Sequence, residues 1–210
     1  MLVSMWMTRD PVSVAPDATI SAVAQAMARR RVRRMPVVRH GRLVGIVTSH
    51  DVARAYPPDL NPFSVVTLPP ALDHAVSEVM TPNPRAVTPA TPIEDAARLL
   101  REHKIGAVPV VSGDDLVGII TESDIFRAFL EMIGDRGAGV RMLFQARPEE
   151  DVVATALHVG TRHGMRLTTV LSLEHDDRHL VLIRLHGSQL GPCVEALQRT
   201  GHQILSVLRP

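Results

Sequence analysis

Residues 43–51 read Leu-Val-Gly-Ile-Val-Thr-Ser-His-Asp, and residues 116–124 read Leu-Val-Gly-Ile-Ile-Thr-Glu-Ser-Asp. The two stretches lie 73 residues apart. Each has the pattern of a β-branched strand running into a helix start, since threonine and aspartate both favour helix N-termini. The same shift works outward from them without a gap. Met7-Thr8 falls on Met80-Thr81, and Pro11, Val14 and Pro16 fall on Pro84, Val87 and Pro89. Ile20 and Ala24 fall on Ile93 and Ala97, and Pro36-Val37-Val38 falls on Pro109-Val110-Val111. Arg54 falls on Arg127. Glycine, proline and aspartate all stay in register, so the chain carries an internal repeat.

Each copy predicts the order β-α-β-β-α. A short extended piece (12–14, 85–87) ends at Pro16 or Pro89. A helix follows, with Asp17 and Thr19, or Thr91, as its capping candidates. Its core positions Ile20, Val23, Ala24 and Met27, or Ile93, Ala96, Ala97 and Leu100, recur at helical spacing. Two strands come next, 35–38 with 43–47 and 108–111 with 116–120, joined by tight turns. A second helix begins near Ser49 and near Glu122. One copy of about 50 residues is marginal for a core of its own, so the two are expected to pack through their sheets. The proline-rich stretch 57–72 reads as an extended surface linker.

The chain has 210 residues, with 23 basic and 22 acidic ones. That balance gives no support for a nucleic-acid or membrane-surface binder. Almost all the positive charge is arginine, a planar and bidentate anion binder, because Lys104 is the only lysine. Aromatic residues are 3% of the chain, which argues against base-stacking platforms. Cys193 is the only cysteine, so no intrachain disulfide can form. No stretch has the length and apolarity of a signal peptide or a membrane span. A cytoplasmic location is the expectation.

Met7-Thr8-x-x-Pro11, Arg34-Met35-Pro36-Val37-Val38 and Gly45-Ile46-Val47-Thr48-x-x-Asp51, with their partners in the second copy, resemble the CBS domain family. Its copies come in pairs, called Bateman modules. The resemblance covers roughly residues 1–133. It implies an adenosyl ligand in the cleft between repeats: AMP, ADP, ATP or S-adenosylmethionine, in a regulatory and not a catalytic role. Aspartate can accept hydrogen bonds from ribose hydroxyls, while threonine and the free N–H groups of a helix start suit phosphate. One implied site joins Thr48 and Asp51 to Thr81, Ala86, Ile105, Gly106 and Ala107. Its counterpart joins Thr121 and Asp124 to Thr8, Ser13, Val32, Arg33 and Arg34. The first set is small and neutral at Gly106-Ala107, with room for a flat base. The second is basic at Arg33-Arg34, which suits the anionic part of a ligand, although Glu122 opposes phosphate there. The two sites are therefore expected to be unequal.

Other readings stand beside these. Thr-x-x-Asp can serve as a helix cap alone. Arg29, Arg30 and Arg31, with Arg33 and Arg34, can be a solvated helix end where cations meet the dipole. Gly45 and Gly118 suit close packing or a bulge more than ligand contact.

Gly134, Gly137 and Gly139 mark a break, after which the pattern changes. A strand over 140–146, a helix over 148–163, strands over 167–173 and 180–185, a helix over 188–200 and a strand over 204–208 give βαββαβ. That is the ferredoxin-like order. It resembles an ACT-type domain over about 70 residues, and the whole is similar to CBS–ACT proteins associated with acetoin utilisation. The turn Ala146-Arg147-Pro148-Glu149 lacks the glycine often found in that family, so amino-acid sensing and a structural, dimer-forming role both stay open. The expected layout is α+β: tandem CBS repeats over 1–133 (1–56, linker 57–72, 73–133), then an ACT-like domain over 140–210.

Ten histidines invite a metal proposal, but His158/His163 and His175/His179 form no HExxH pattern and lack further ligands at proper spacing. Cys193 has no histidine–acid set nearby and reads as a buried thiol. No GxSxG, P-loop or dinucleotide motif is present. Three functions remain: a nucleotide-sensing regulatory module, an interaction protein with vacant clefts that dimerises and modulates a partner enzyme, and an enzyme with chemistry after residue 140. The third lacks a reactive cluster and is not expected. A homodimer and an unidentified regulated protein are the expected partners.

Overall fold

A computed structural model describes residues 1–56, 73–134 and 139–209. The linker expected over 57–72, and Gly137, lie outside the described residues. The chain divides into two compact units, Met1–Phe126 and Arg127–Pro210, and the division falls inside the helix Glu122–Ile133.

The first unit holds the two repeats. The first contributes β1 (Thr8–Arg9), α1 (Ile20–Arg30), β2 (Arg34–Arg39), β3 (Arg42–Thr48) and α2 (Ser49–Ala55). The second contributes β4 (Thr81–Pro82), α3 (Ile93–His103), β5 (Ala107–Ser112), β6 (Asp115–Thr121) and α4 (Glu122–Ile133). The β2–β3 and β5–β6 hairpins each carry a bulge, after Val37 and after Val110. Ile20, Val23, Ala24 and Met27 bury one face of α1 against Met35, Val37 and Val47.

The amino-terminal arms cross over. Thr8 pairs with Ile119 of β6, and Thr81 pairs with Ile46 of β3. The N–H of Val3 donates to the carbonyl of Thr91, and that of Val76 donates to Ala18, so each arm runs beside the helix start of the other repeat. Val3 and Val76 are fully buried there.

Two local expectations change. Stretches 12–14 and 85–87 are not strands; each makes a single parallel bridge, Val14 to Val37 and Val87 to Val110. The flanking prolines lack the N–H that a longer ladder needs. Thr19 caps α1 by accepting from Ala22, but Pro92 precedes α3, and Thr91 instead accepts from the N–H of Thr88 in the turn before it.

Gly45 and Gly118 are sites of close approach between repeats. A Cβ on Gly45 would collide with the sulfur of Met80, a flexible side chain. One on Gly118 would come within 2.7 Å of the Met7 sulfur and 3.1 Å of the Thr8 carbonyl oxygen, which is backbone inside the β1–β6 pairing. Gly118→Val is therefore expected to cost about 1–3 kcal/mol, and Gly45→Val less, read as separate shifts in thermal midpoint.

The second unit carries β7 (Val140–Ala146), α5 (Val152–Arg162), β8 (Arg166–His175), β9 (Arg178–His186), α6 (Leu190–Gln198) and β10 (Gln203–Leu208). Its antiparallel sheet has the order β10-β7-β9-β8. Asp176 and Asp177, both at positive φ, close the β8–β9 hairpin as a two-residue turn. Val140, Met142, Phe144, Val181, Ile183 and Leu185 form one sheet face, buried against Ala156, Cys193, Val194 and Leu197 of the helices. Helix α5 starts four residues later than the pattern predicts. Residues 147–150 make a turn first, and Asp151 then caps by accepting from Ala154 at 2.8 Å.

Glu150 holds that turn. Its carboxylate accepts the N–H of Arg147 at 3.2 Å and lies 3.5 Å from His202 Nδ1. The backbone bond from Arg147 is the main cause that lowers its pKa below the ordinary 4.5, with burial opposing and His202 assisting. A lowered folded value means a stabilising contribution that is complete above the ordinary value and lost as pH falls through the folded one. Thermal midpoints of the parent and Glu150→Gln should therefore differ near neutral pH and converge in acid.

Candidate functional site

The strand-to-helix junction is built identically in both repeats. Thr48 donates its backbone N–H to Asp51 Oδ2 at 2.8 Å and its hydroxyl to the same oxygen at 2.7 Å. The N–H of Asp51 returns to Thr48 Oγ1 at 3.3 Å. Thr121 and Asp124 repeat this at 2.9, 2.7 and 3.3 Å. Both pairs are thus capping boxes, whatever else they do. The next N–H, of Ser49 or Glu122, donates to the carbonyl of Arg33 or Gly106. This ties the entry of β2 or β5 to the helix start. Loss of the Asp51 acceptor in Asp51→Ala is expected to cost about 1 kcal/mol, measured by denaturant unfolding.

A cleft of about 520 Å3 opens beside Thr48 and takes its walls from both repeats. Ile46, Thr48, Ser49 and His50 form one wall. Thr81, Asn83, Pro84 and Arg85 form the next, brought there by the pairing of β4 with β3. His103 to Ala107 and Pro109 form the third. Five of the seven residues expected for this site are present: Thr48, Thr81, Ile105, Gly106 and Ala107.

Asp51 and Ala86 are not among the lining residues. The capping bonds hold the Asp51 carboxylate to Thr48, and Asp51 lines a smaller depression with Arg54 and Glu78. Ala86 lines another, near Leu43 and Val111.

Arg33 and Arg34, expected at the counterpart site, line this cleft. The cleft beside Thr48 is therefore basic, where a small neutral one was expected. The reason is register. Arg34 stands opposite Thr48 across β2 and β3, so its long side chain reaches the second repeat. Of the remaining counterpart residues, Thr8 sits in β1, Ser13 is exposed, and Val32 packs on the core of repeat one.

Arg85 and Lys104 also line the first cleft and were not expected there. The repeat held a clue to Arg85, since its partner position is Val12, an apolar residue. Lys104 closes α3 in the left-handed conformation, as Arg31 closes α1. The cleft therefore gathers Arg33, Arg34, Arg85 and Lys104 with no carboxylate among its lining residues.

No helix among the described residues is long and apolar enough to cross a membrane, and among them no group of three or more histidine, cysteine or acidic residues is placed to hold a metal ion. Cys193 is fully buried, and burial pushes its thiol above the ordinary value of 9.0.

Two interlocked β-α-β-β-α repeats with a cleft between them define a tandem-repeat module. The chain belongs to the CBS domain family, whose model matches residues 3–58 and 76–131. Among curated relatives, protein MJ1225 of Methanocaldococcus jannaschii is 32% identical over 127 residues. The match covers 59% of this chain and 45% of that one, so the chain spans less than half of that relative's length. The crystal structure of CBSX2 in complex with AMP, whose curated counterpart comes from Arabidopsis thaliana, aligns with a TM-score of 0.53 at 30% identity, over 62% of this chain and 96% of that one. The CBS domain pair of protein MJ0100, in complex with 5′-methylthioadenosine and S-adenosyl-L-methionine, gives 0.52 at 29%, over 61% and 95%. A putative acetoin utilization protein, AcuB of Vibrio cholerae, gives 0.53 at 30%, over 65% and 98%.

Proposed function

We infer that this protein is a regulatory sensor that binds a phosphorylated adenosyl ligand, of the AMP, ADP or ATP class, in the cleft beside Thr48. The observation that carries the reading is four cationic side chains without a lining carboxylate in a cleft of about 520 Å3. That volume lies in the range of small-molecule sites. Like charges gathered this closely repel one another until an anion joins them. The adenosyl ligands of the CBSX2 and MJ0100 structures support the nucleoside part. The charge pattern supports a phosphorylated ligand among them: S-adenosylmethionine carries a sulfonium cation, which a basic cleft disfavours, whereas phosphate matches it.

In this reading Thr48, Thr81, Ile105, Gly106 and Ala107 face the nucleoside, and Arg33 and Arg34 face phosphate. Asp51 acts by holding Thr48. Thr121 and Asp124, with Thr8, Ser13 and Val32, form a weaker counterpart. Ligand binding would regulate by favouring one arrangement of the repeats over another. Titration calorimetry with AMP, ADP, ATP and S-adenosylmethionine tests it. Binding of the three nucleotides in preference to S-adenosylmethionine is expected; preference for the sulfonium ligand overturns the reading.

The paired capping boxes favour a second reading, an interaction protein whose clefts stay vacant, because each aspartate already has a structural task. Failure of every nucleotide to bind selects it. For residues 140–210 we assign an ACT-type module with a dimer-forming role, supported by the βαββαβ order and the sheet order β10-β7-β9-β8. The assembly expected is a cytoplasmic homodimer acting on a partner enzyme, and sedimentation of the full chain tests its first part.

A further inference from the structure

We propose that Arg34 sets the specificity of the cleft by covering Gly106, so that a ligand with phosphate draws it away and a ligand without phosphate does not. The proposal rests on the nucleotide reading above and deepens it.

The guanidinium of Arg34 lies in the space that a side chain on residue 106 would occupy. A Cβ built on Gly106 would meet Arg34 Nη2 and come within 2.5 Å of Cζ and 3.0 Å of Nε. The room left by glycine is therefore filled, and by a side chain from the other repeat. A flat ring can enter it only after Arg34 leaves.

Leaving has different consequences for different ligands. No ion pair ties Arg34 to a carboxylate among the described residues. Arg33, Arg85 and Lys104 surround the cleft with charge of the same sign. A guanidinium displaced by an uncharged nucleoside would move among like charges with no new partner. Displaced by a nucleotide, it gains a planar, bidentate acceptor in the phosphate. Arg34 thus penalises the bare nucleoside and rewards the nucleotide.

The device exists once. Shifted by 73 residues, Arg34 corresponds to Ala107 and Gly106 corresponds to Arg33. The counterpart site has neither the arm nor the space beneath it. The selectivity is therefore a property of one cleft.

The experiment is calorimetric titration of the full chain and three variants, Arg34→Ala, Arg34→Lys and Arg33→Ala, with AMP and with adenosine. For Arg34→Ala, AMP affinity should fall about tenfold or more, the effect of losing a hydrogen-bonded ionic contact. Adenosine affinity should rise, because the space over Gly106 is open. Arg34→Lys keeps the charge without the planar fork, so it should recover only part of the AMP loss. Arg33→Ala removes one cation without uncovering Gly106, so it should weaken AMP binding without tightening adenosine. A parent that binds AMP, and whose AMP-to-adenosine ratio survives Arg34→Ala, overturns the role of Arg34 alone. Equal behaviour of Arg33→Ala and Arg34→Ala also overturns it, since the effect would then be general charge. A parent and an Arg34→Ala variant that bind neither compound overturn both this role and the nucleotide reading.

Discussion

Reversing the charges of Arg33 and Arg85 together, as Arg33→Glu with Arg85→Glu, is expected to weaken AMP binding by a hundredfold or more. The two side chains reach the same cleft from different repeats, Arg33 at the entry to β2 and Arg85 beyond β4. Four lining cations less two, with two carboxylates added, leave the cleft with no net charge. Each lost ionic hydrogen bond costs about 1.5–3 kcal/mol, and repulsion between the new carboxylates and phosphate adds to that. The parent should also bind more weakly as salt rises, and the double variant should lose most of that dependence. The measurement is calorimetry at two ionic strengths. A double variant that binds AMP within threefold of the parent would show that phosphate does not sit among these side chains. Adenosine serves as the internal comparison, since it lacks the group that the arginines are expected to hold.

Phe144→Ala is expected to destabilise the second unit by about 3–5 kcal/mol, the cost of a large-to-small change at a fully buried aromatic site. Phe144 is fully buried in the middle of β7, which pairs with β9 on one side and β10 on the other. It stands opposite Val181 and Ile204, and its ring meets His202 edge-on at 6.5 Å. Removing it opens a cavity between the sheet and its two helices at a place where both neighbouring strands are held by backbone pairing and cannot close inward. Urea unfolding should show the change as a lower midpoint. Leu173→Ala, on the same sheet but 46% exposed, should cost far less.

Much of the fold is legible in the sequence because the repeat is gapless. A proline, a glycine and an aspartate recurring at one spacing specify a turn, a close approach and a cap at once. Ile20, Val23, Ala24 and Met27 fall on one face of α1 as their spacing predicts. The starts of α2 and α4 at Ser49 and Glu122 follow from the threonine that precedes each. Short-range chemistry decides these features. The crossing of the arms is not legible, since nothing in Thr8 or Thr81 says which strand it will pair with. The make-up of the cleft is legible only in part, for the same reason: Thr48, Thr81 and residues 105–107 fall there as expected, but its cations do not follow from the sequence. The sequence places Arg34 beside Arg33, but only the register of β2 against β3 aims its side chain at Gly106. Asp51 shows the limit from the other direction: its pattern fits a ribose acceptor and a cap equally, and the structure realises the cap.

The crossed arms make the two halves of the first unit mutual hostages. Residues 1–9 pair with the second repeat, and 74–82 pair with the first. A polypeptide with one repeat would hold a strand it cannot use and lack the strand it needs. Two such polypeptides could satisfy each other by exchange, as the two repeats do within one chain. The duplication therefore covalently joins what would otherwise be an obligate pair, and fixes their stoichiometry at one to one. Trimming the first nine residues takes β1 from the repeat they begin and exposes the edge of β6, more than a hundred positions away in the chain.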